Sequence, residues 1–154
     1  MDLTDILDNR AVRSHSGVLN KSRLLHLVSN QAAAIYNLDS RGVYDALVTR
    51  EKLGSTSVGR GIAIPHARIG DLTQVVGLFT RLSDPIEFDS LDHHPVDLVF
   101  TLLAPVHGGA EHLKALAMVS RTLRDDGICK KLRANHLPEK LFAVLSQTAF
   151  RDAA

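Results

Sequence analysis

Histidine gives this chain its widest range of possible chemistry. The sequence holds eight histidines, and an imidazole can serve as a nucleophile, a general base, a metal ligand or a pH switch. His66 has the most distinctive surroundings, because it follows an apolar run at residues 62–64 and then Pro65. The run predicts a buried strand, and the proline favours ending that strand so that His66 lies at the edge of a sheet.

An imidazole at such an edge, neutral and held in one tautomer, is a good acceptor for a phosphoryl group. The competing interpretation of His66 is a partly buried histidine that only satisfies a hydrogen bond. Its position after a strand and a proline does not decide between these two roles.

The remaining histidines make a poor metal site. His93 and His94 are adjacent, so in a strand they would point to opposite faces. Neither His107 nor His112 belongs to a His-Glu-x-x-His pattern, and the chain has no Cys-x-x-Cys pair. We therefore expect no bound metal.

Serine and cysteine nucleophiles are also disfavoured. The sequence lacks the Gly-x-Ser-x-Gly elbow found in many hydrolases. Its single cysteine, Cys129, lies in the charged segment 125–131 and cannot form an internal disulfide. We expect Cys129 to be a small packing residue.

A glycine-rich loop at residues 54–61 has the Gly-x4-Gly spacing of a phosphate loop between Gly54 and Gly59. Arg60 and Gly61 follow, however, where a nucleotide-binding loop needs Lys and then Ser or Thr. The loop also lies after a predicted helix and before a predicted strand, which is the reverse of the required order. We expect either a flexible turn or a set of backbone amides that binds an oxyanion.

The positions of apolar and capping residues predict alternating helices and strands. We expect strands near residues 11–18, 62–64, 75–82 and 96–104, and helices from Asn20 to about residue 35, at 40–52, from 109 onward, at about 125–134 and at 138–148. This order predicts an α/β (α+β) fold: a single domain, residues 1–154, with a mixed, mostly parallel sheet of about five strands and helices on both faces.

Composition and charge exclude several classes of protein. The 18 basic and 17 acidic residues are interleaved, which disfavours nucleic-acid binding. No apolar run approaches the roughly 18–20 residues that span a bilayer, and the acidic start at residues 1–8 does not resemble a signal peptide. We expect a cytoplasmic protein that is not inserted in the membrane.

Four motifs in fixed order resemble the fructose/mannitol type of enzyme IIA of the phosphotransferase system, and especially its nitrogen-related regulatory members. They are Arg-Glu-Lys-Leu-Gly-Ser-Thr at residues 50–56, Gly-Ile-Ala-Ile-Pro-His at 61–66, Pro-Val-Asp-Leu-Val at 95–99 and Glu-His-Leu at 111–113. The resemblance covers nearly the whole chain. It implies that His66 is the phosphorylated residue, on Nε2, and that Arg50 and His112 line the same site.

The resemblance also suggests further partners for the phosphoryl group. Ser55 and Thr56, in the first motif, and Arg68, two residues after His66, are candidates for the phosphate cradle. Family members often have Gly and then Lys or Thr after the active histidine, whereas this chain has Ala67 and Arg68. Arg68 can therefore assist the phosphate or contact the donor protein, and the sequence leaves both roles open.

The resemblance implies a phosphohistidine relay that needs no cofactor. A small HPr-like carrier would donate the phosphoryl group, and the phosphorylation state would decide which target proteins are bound, such as potassium transport components or sensor kinases. We expect a stand-alone regulator because no IIB segment follows in the chain. The alternatives are a sugar-specific IIA subunit that passes phosphate to a separate IIB protein, and a binding module that is not phosphorylated.

Overall fold

The structure is a computed structural model, which describes the backbone of residues 1–153 and the side chains of residues 1–147. The elements in chain order are α1 (Leu3–Ile6), β1 (Leu7–His15), α2 (Lys21–Tyr36), α3 (Ser40–Lys52), β2 (Ser57–Gly59), β3 (Ile62–Ala63), β4 (His66–Ile69), β5 (Val76–Ile86), β6 (Val96–Pro105), α4 (Gly109–Arg124), α5 (Asp126–Arg133) and α6 (Pro138–Ala153).

The sheet has the strand order β1-β5-β6-β3-β2, and β4 pairs with β6 further along the same edge as β3. The pairs β1–β5, β3–β6 and β4–β6 are parallel, while β5–β6 and β2–β3 are antiparallel. Strand β6 is buried from Val96 to Ala104 except at Asp97, as expected for a strand covered on both faces. The predicted mixed, mostly parallel sheet is confirmed, with six strands instead of about five.

Polar caps start the two helices that precede the site. The Asn20 side chain accepts a hydrogen bond of 2.9 Å from the backbone N–H of Arg23 at the start of α2. Asp39 caps α3 in the same way through the N–H of Gly42. Such caps each stabilise a helix by about 1 kcal/mol. The Asp39 cap fixes where α3 begins, and therefore where Arg50 lies in its last turn.

The strand that precedes the site ends at Ala63, just before Pro65, but the chain goes on pairing with β6 beyond the proline, which the sequence did not predict. Proline lacks a backbone N–H but keeps its carbonyl, and the Pro65 carbonyl accepts a 2.9 Å hydrogen bond from the N–H of Leu102. The chain therefore resumes pairing with β6 at His66, opposite Leu102. Because β4 pairs with β6 alone, His66 still lies in an edge strand.

The first strand was also predicted in the wrong place. It runs from Leu7 to His15 instead of from residue 11 to residue 18. A short capped helix, α1, precedes it directly, and the register with β5 shifts between Leu7 and Val12. An irregular strand of this kind loses the simple alternation of apolar and polar residues on which the prediction depended.

The buried apolar side chains form a cluster between the sheet and the helices. Its largest fully buried members are Phe79, Phe88, Phe100, Leu24, Leu47, Ile62, Leu78, Leu98, Leu102, Leu103, Leu123 and Leu132. In the described part of the chain, no helix is both long enough and apolar enough to cross a membrane.

An ion pair fastens the end of α5 to the sheet. Arg133 donates from Nε and Nη2 to the Asp97 carboxylate at 2.9–3.2 Å, and Nη2 also donates to the Arg60 carbonyl at 2.8 Å. These hydrogen bonds from Arg133 to Asp97 raise the pKa of the guanidinium. Gly61 passes beneath the pair with φ of 80°. A Cβ there would lie 2.8 Å from Nη2 of Arg133 and 3.0 Å from Oδ1 of Asp97.

Replacement of Gly61 by Ala therefore has two energetic costs, backbone strain and a steric clash with the ion pair. Two control variants separate them. At Gly17, which has φ of 74° and open space around it, Ala should cost about 1–2 kcal/mol through backbone strain alone. At Gly70, where the backbone is ordinary and the space is open, Ala should have little effect. We predict that urea unfolding shows a larger loss for Gly61→Ala than for Gly17→Ala. Equal losses would mean that the Asp97–Arg133 pair moves aside without cost.

Candidate functional site

Three elements meet at the edge of the sheet around an open, shallow cavity of about 490 Å³. His66 is the first residue of β4, Arg50 lies in the last turn of α3, and His112 lies in the first turn of α4. All three side chains line this cavity, together with Arg68. His66 and His112 are 46 positions apart in sequence. They come together because β4 and α4 both pack on β6.

The His66 ring is held by a backbone carbonyl. Its Nδ1 lies 2.9 Å from the oxygen of Ile64, and a carbonyl can only accept, so Nδ1 is assigned the proton. The lone pair of the neutral ring is then on Nε2. The His112 ring meets the His66 ring edge-on, with centroids 5.6 Å apart and an interplanar angle of 71°.

His112 is buried at 6% exposure, yet its Nε2 has no hydrogen-bond partner among the described residues. Burial lowers the pKa of His112 below its ordinary value of 6.5, and the nearby His66 ring and Arg68 guanidinium lower it further. The imidazole is therefore neutral at pH 7. A buried polar atom without a partner costs about 1–3 kcal/mol, and a ligand atom in the cavity would remove that cost.

Two guanidinium groups border the cavity, each held by one backbone carbonyl. Nη1 of Arg50 donates to the Gly54 carbonyl at 2.9 Å, and Nη1 of Arg68 donates to the Val106 carbonyl at 3.0 Å. Within the described residues, neither group forms an ion pair with a carboxylate. A guanidinium has five N–H donors, so each keeps donors for an anion after making its carbonyl contact.

The two hydroxyl candidates for a phosphate cradle lie elsewhere, which corrects the expectation for Ser55 and Thr56. The Ser55 hydroxyl donates to the Phe88 carbonyl at 2.6 Å, and the Thr56 hydroxyl donates to the Glu51 carboxylate. Neither residue lines the cavity around His66. Both hydroxyls serve the turn after α3, so the protein has already used their polar groups.

The start of α4 gives weaker support for anion binding at this site. Its N-cap residue is Gly108, which has no side chain to accept from the first-turn N–H groups. Such free amides and the helix dipole favour an anion near the helix start. The same end can equally be satisfied by water, so this feature supports anion binding only together with His112 and the arginines.

Sequence reasoning missed two features of the site. The Ile64 carbonyl is a backbone group, which no residue type reveals. Leu53 lines the cavity while 82% exposed, and its only sequence signal is an apolar residue just beyond the last helical turn. Among the described residues, no group of three His, Cys, Asp or Glu side chains is arranged to hold a metal ion.

Comparison with known proteins gives a consistent result. Residues 5–148 match the family described as "Phosphoenolpyruvate-dependent sugar phosphotransferase system, EIIA 2". A nitrogen regulatory protein from Bradyrhizobium diazoefficiens is 45% identical over 146 residues, which cover 95% of each chain. One from Klebsiella oxytoca is 39% identical over 155 residues, covering 100% of this chain and 96% of the relative.

A solved structure agrees with these sequence matches. The crystal structure of the nitrogen regulatory protein IIA-Ntr from Neisseria meningitidis superposes with a TM-score of 0.84 and 33% identity, covering 92% of this chain and 97% of the other. The resemblance of the four motifs is thereby confirmed at the level of the family. The chain belongs to the EIIA 2 family of the phosphoenolpyruvate-dependent sugar phosphotransferase system, and within that family it is of the nitrogen regulatory IIA type.

Proposed function

We propose that this chain is a phosphocarrier of a nitrogen-related phosphotransferase system, which accepts a phosphoryl group on Nε2 of His66. One observation carries the proposal: the Ile64 carbonyl holds Nδ1 of His66, while the unpartnered Nε2 of His112 is buried in the same cavity. The first contact prepares a nucleophile in one tautomer. The second provides a polar group that has no partner until an anion arrives.

The transfer step needs no proton to leave His66. The lone pair of Nε2 attacks the phosphorus of the phosphorylated donor, a new N–P bond forms, and the donor atom takes back the electrons of its own bond to phosphorus. The proton on Nδ1 stays in place. The phosphorylated ring then carries positive charge, which the Ile64 carbonyl at 2.9 Å stabilises by accepting that N–H.

The surrounding groups act on charge that develops on the phosphoryl oxygens. This transition state is loose, so the protein contributes mostly positioning and electrostatics. The planar fork of Arg50 suits two phosphoryl oxygens, and Arg68 approaches from the strand that carries His66. Neutral His112 donates a hydrogen bond to a phosphoryl oxygen without adding a third positive charge beside the His66 ring.

The role of the protein beyond the transfer step is inferred from its relatives. We propose that an HPr-like protein is the donor, that the protein acts in the cytoplasm, and that the phosphorylation state of His66 selects target proteins such as potassium transport components or sensor kinases. The nitrogen regulatory relatives at 39–45% identity support this role over that of a sugar-specific IIA subunit. Transfer of phosphate from this chain to a separate IIB protein would favour the sugar-specific alternative.

The site assignment predicts the behaviour of His66→Ala. Incubation with phosphoenolpyruvate, the upstream enzyme and the HPr-like carrier should give one acid-labile phosphate per wild-type chain and none in the variant, measured by intact mass. His107→Ala is the matched control, because His107 is exposed and outside the cavity. Label that persists in His66→Ala would refute the site, and failure of the wild type to accept phosphate would favour a pure binding module.

Replacement of Arg50 by Lys keeps the charge but removes the planar fork. We expect phosphoryl transfer to slow by about 10²–10³-fold, the usual loss when one oxyanion donor is removed. Arg121→Lys is the control, because Arg121 is exposed and lies outside the cavity. Rates should be measured at saturating phosphorylated donor. An unchanged rate would mean that Arg50 does not act on the phosphoryl group and only binds the Gly54 carbonyl.

The lowered pKa of His112 makes stability depend on pH. The folded protein binds this proton less tightly than the unfolded chain, so the favourable contribution is present above the ordinary pKa of 6.5 and declines as pH falls below it. His112→Gln should therefore lose less unfolding free energy than wild type between about pH 7.5 and about pH 5.5. Urea unfolding measures this, with exposed His94→Gln as control. Parallel losses in wild type and His112→Gln would contradict the prediction.

A further inference from the structure

A continuous chain of hydrogen bonds connects a buried ion pair to the His66 ring. Nζ of Lys21 lies 2.8 Å from the Glu51 carboxylate. That carboxylate accepts both the hydroxyl and the backbone N–H of Thr56, the latter at 3.2 Å. The Thr56 carbonyl accepts the N–H of Ile64 at 3.0 Å. The Ile64 carbonyl in turn accepts Nδ1 of His66.

Ile64 depends on this chain for its position. It lies between β3, which ends at Ala63, and β4, which begins at His66. The next residue, Pro65, has no N–H to donate. Two main-chain hydrogen bonds hold this segment between the two strands: the Ile64 N–H donates to the Thr56 carbonyl, and the Pro65 carbonyl accepts from the N–H of Leu102 in β6. The first of these bonds ties Ile64 to the turn at Thr56, so a displacement of Thr56 shifts the residue whose carbonyl holds the His66 ring.

Thr56 is itself held more tightly than a turn requires. Its side chain is 6% exposed, and the Glu51 side chain is also 6% exposed. A carboxylate buried to this extent carries a desolvation penalty, which its ion pair and hydrogen bonds must offset. Lys21 is held as well, with Nζ 4.5 Å from the centroid of the Phe88 ring. The arrangement joins the start of α2, the end of α3 and the turn at Thr56 into one rigid unit.

We propose that Glu51 and Thr56 are positioning residues for phosphoryl transfer, which hold His66 in its Nδ1–H tautomer through the Ile64 peptide. The inference rests on the proposed function of His66. When Thr56 loses its side-chain bond to Glu51, its carbonyl shifts, the Ile64 segment moves with it, and the weakened contact to Nδ1 lets the proton redistribute between the two ring nitrogens. A smaller fraction of chains then presents a lone pair on Nε2, and the phosphorylated ring loses its acceptor.

The test compares Thr56→Val, Thr56→Ser and Glu51→Gln with Thr122→Val. Thr122 is the matched control, because it is a buried threonine, 7% exposed, whose hydroxyl donates to the Met118 carbonyl in α4. Nitrogen-15 NMR of the unphosphorylated proteins, at a pH where the rings are neutral, reports the His66 tautomer directly. Transfer rates at saturating phosphorylated donor report the chemical consequence.

We expect wild type, Thr56→Ser and Thr122→Val to show the Nδ1–H tautomer. Thr56→Val and Glu51→Gln should show a mixture of tautomers and transfer phosphate about tenfold more slowly or worse, with the KM for the donor little changed. An unaltered tautomer in a folded Thr56→Val or Glu51→Gln would overturn the inference. If Thr56→Val does not fold, Glu51→Gln alone decides. The NMR result stands even if wild type accepts no phosphate, so failure of the proposed function is seen separately.

Discussion

The hydrogen bond between Nδ1 of His66 and the Ile64 carbonyl is the contact on which the site depends. It determines which ring nitrogen has the lone pair, and the ring that it holds meets the His112 ring edge-on, with centroids 5.6 Å apart. The contact exists because Pro65 interrupts the strand without ending the pairing with β6. An uninterrupted strand would direct the Ile64 carbonyl into the ladder, where it could not bind a side chain two residues away.

The second constraint is the balance of charge around this ring. Arg50 and Arg68 are each held by a backbone carbonyl, and among the described residues neither forms an ion pair; Asp45, a carboxylate that also lines the cavity, pairs with Arg41. Burial keeps His112 neutral, so it adds a donor without adding a third cation close to the nucleophile. Cations held close to the ring but without counter-ions favour an incoming phosphoryl group. The same arrangement would be unfavourable if the site had to remain empty of anions.

Sequence patterns predicted the long elements of the fold well. The helices around Leu24 and Leu47 and the strand β6 have clear periodicity or apolar runs, and capping residues such as Asn20 mark where helices begin. The short elements α1, β2 and β4 were missed because three or four residues contain no periodic signal. The order of the motifs predicted that Arg50, His66 and His112 share a site, and the fold brings them to one cavity. Their chemical roles stay predictions.

The sequence does not show which residues of the motif at 50–56 border the cavity and which bind other parts of the protein. Arg50, Glu51 and Thr56 are close neighbours in the chain, and each is polar enough to bind phosphate or stabilise a turn. Only burial separates them, since Arg50 borders the cavity while Glu51 and Thr56 face inward and bind each other. Helical geometry turns successive residues by about 100°, so adjacent residues at the end of α3 must face different surroundings. In the proposed mechanism a motif of this kind combines two tasks: one side chain meets the phosphoryl group, and its neighbours fix the backbone that orients the accepting histidine.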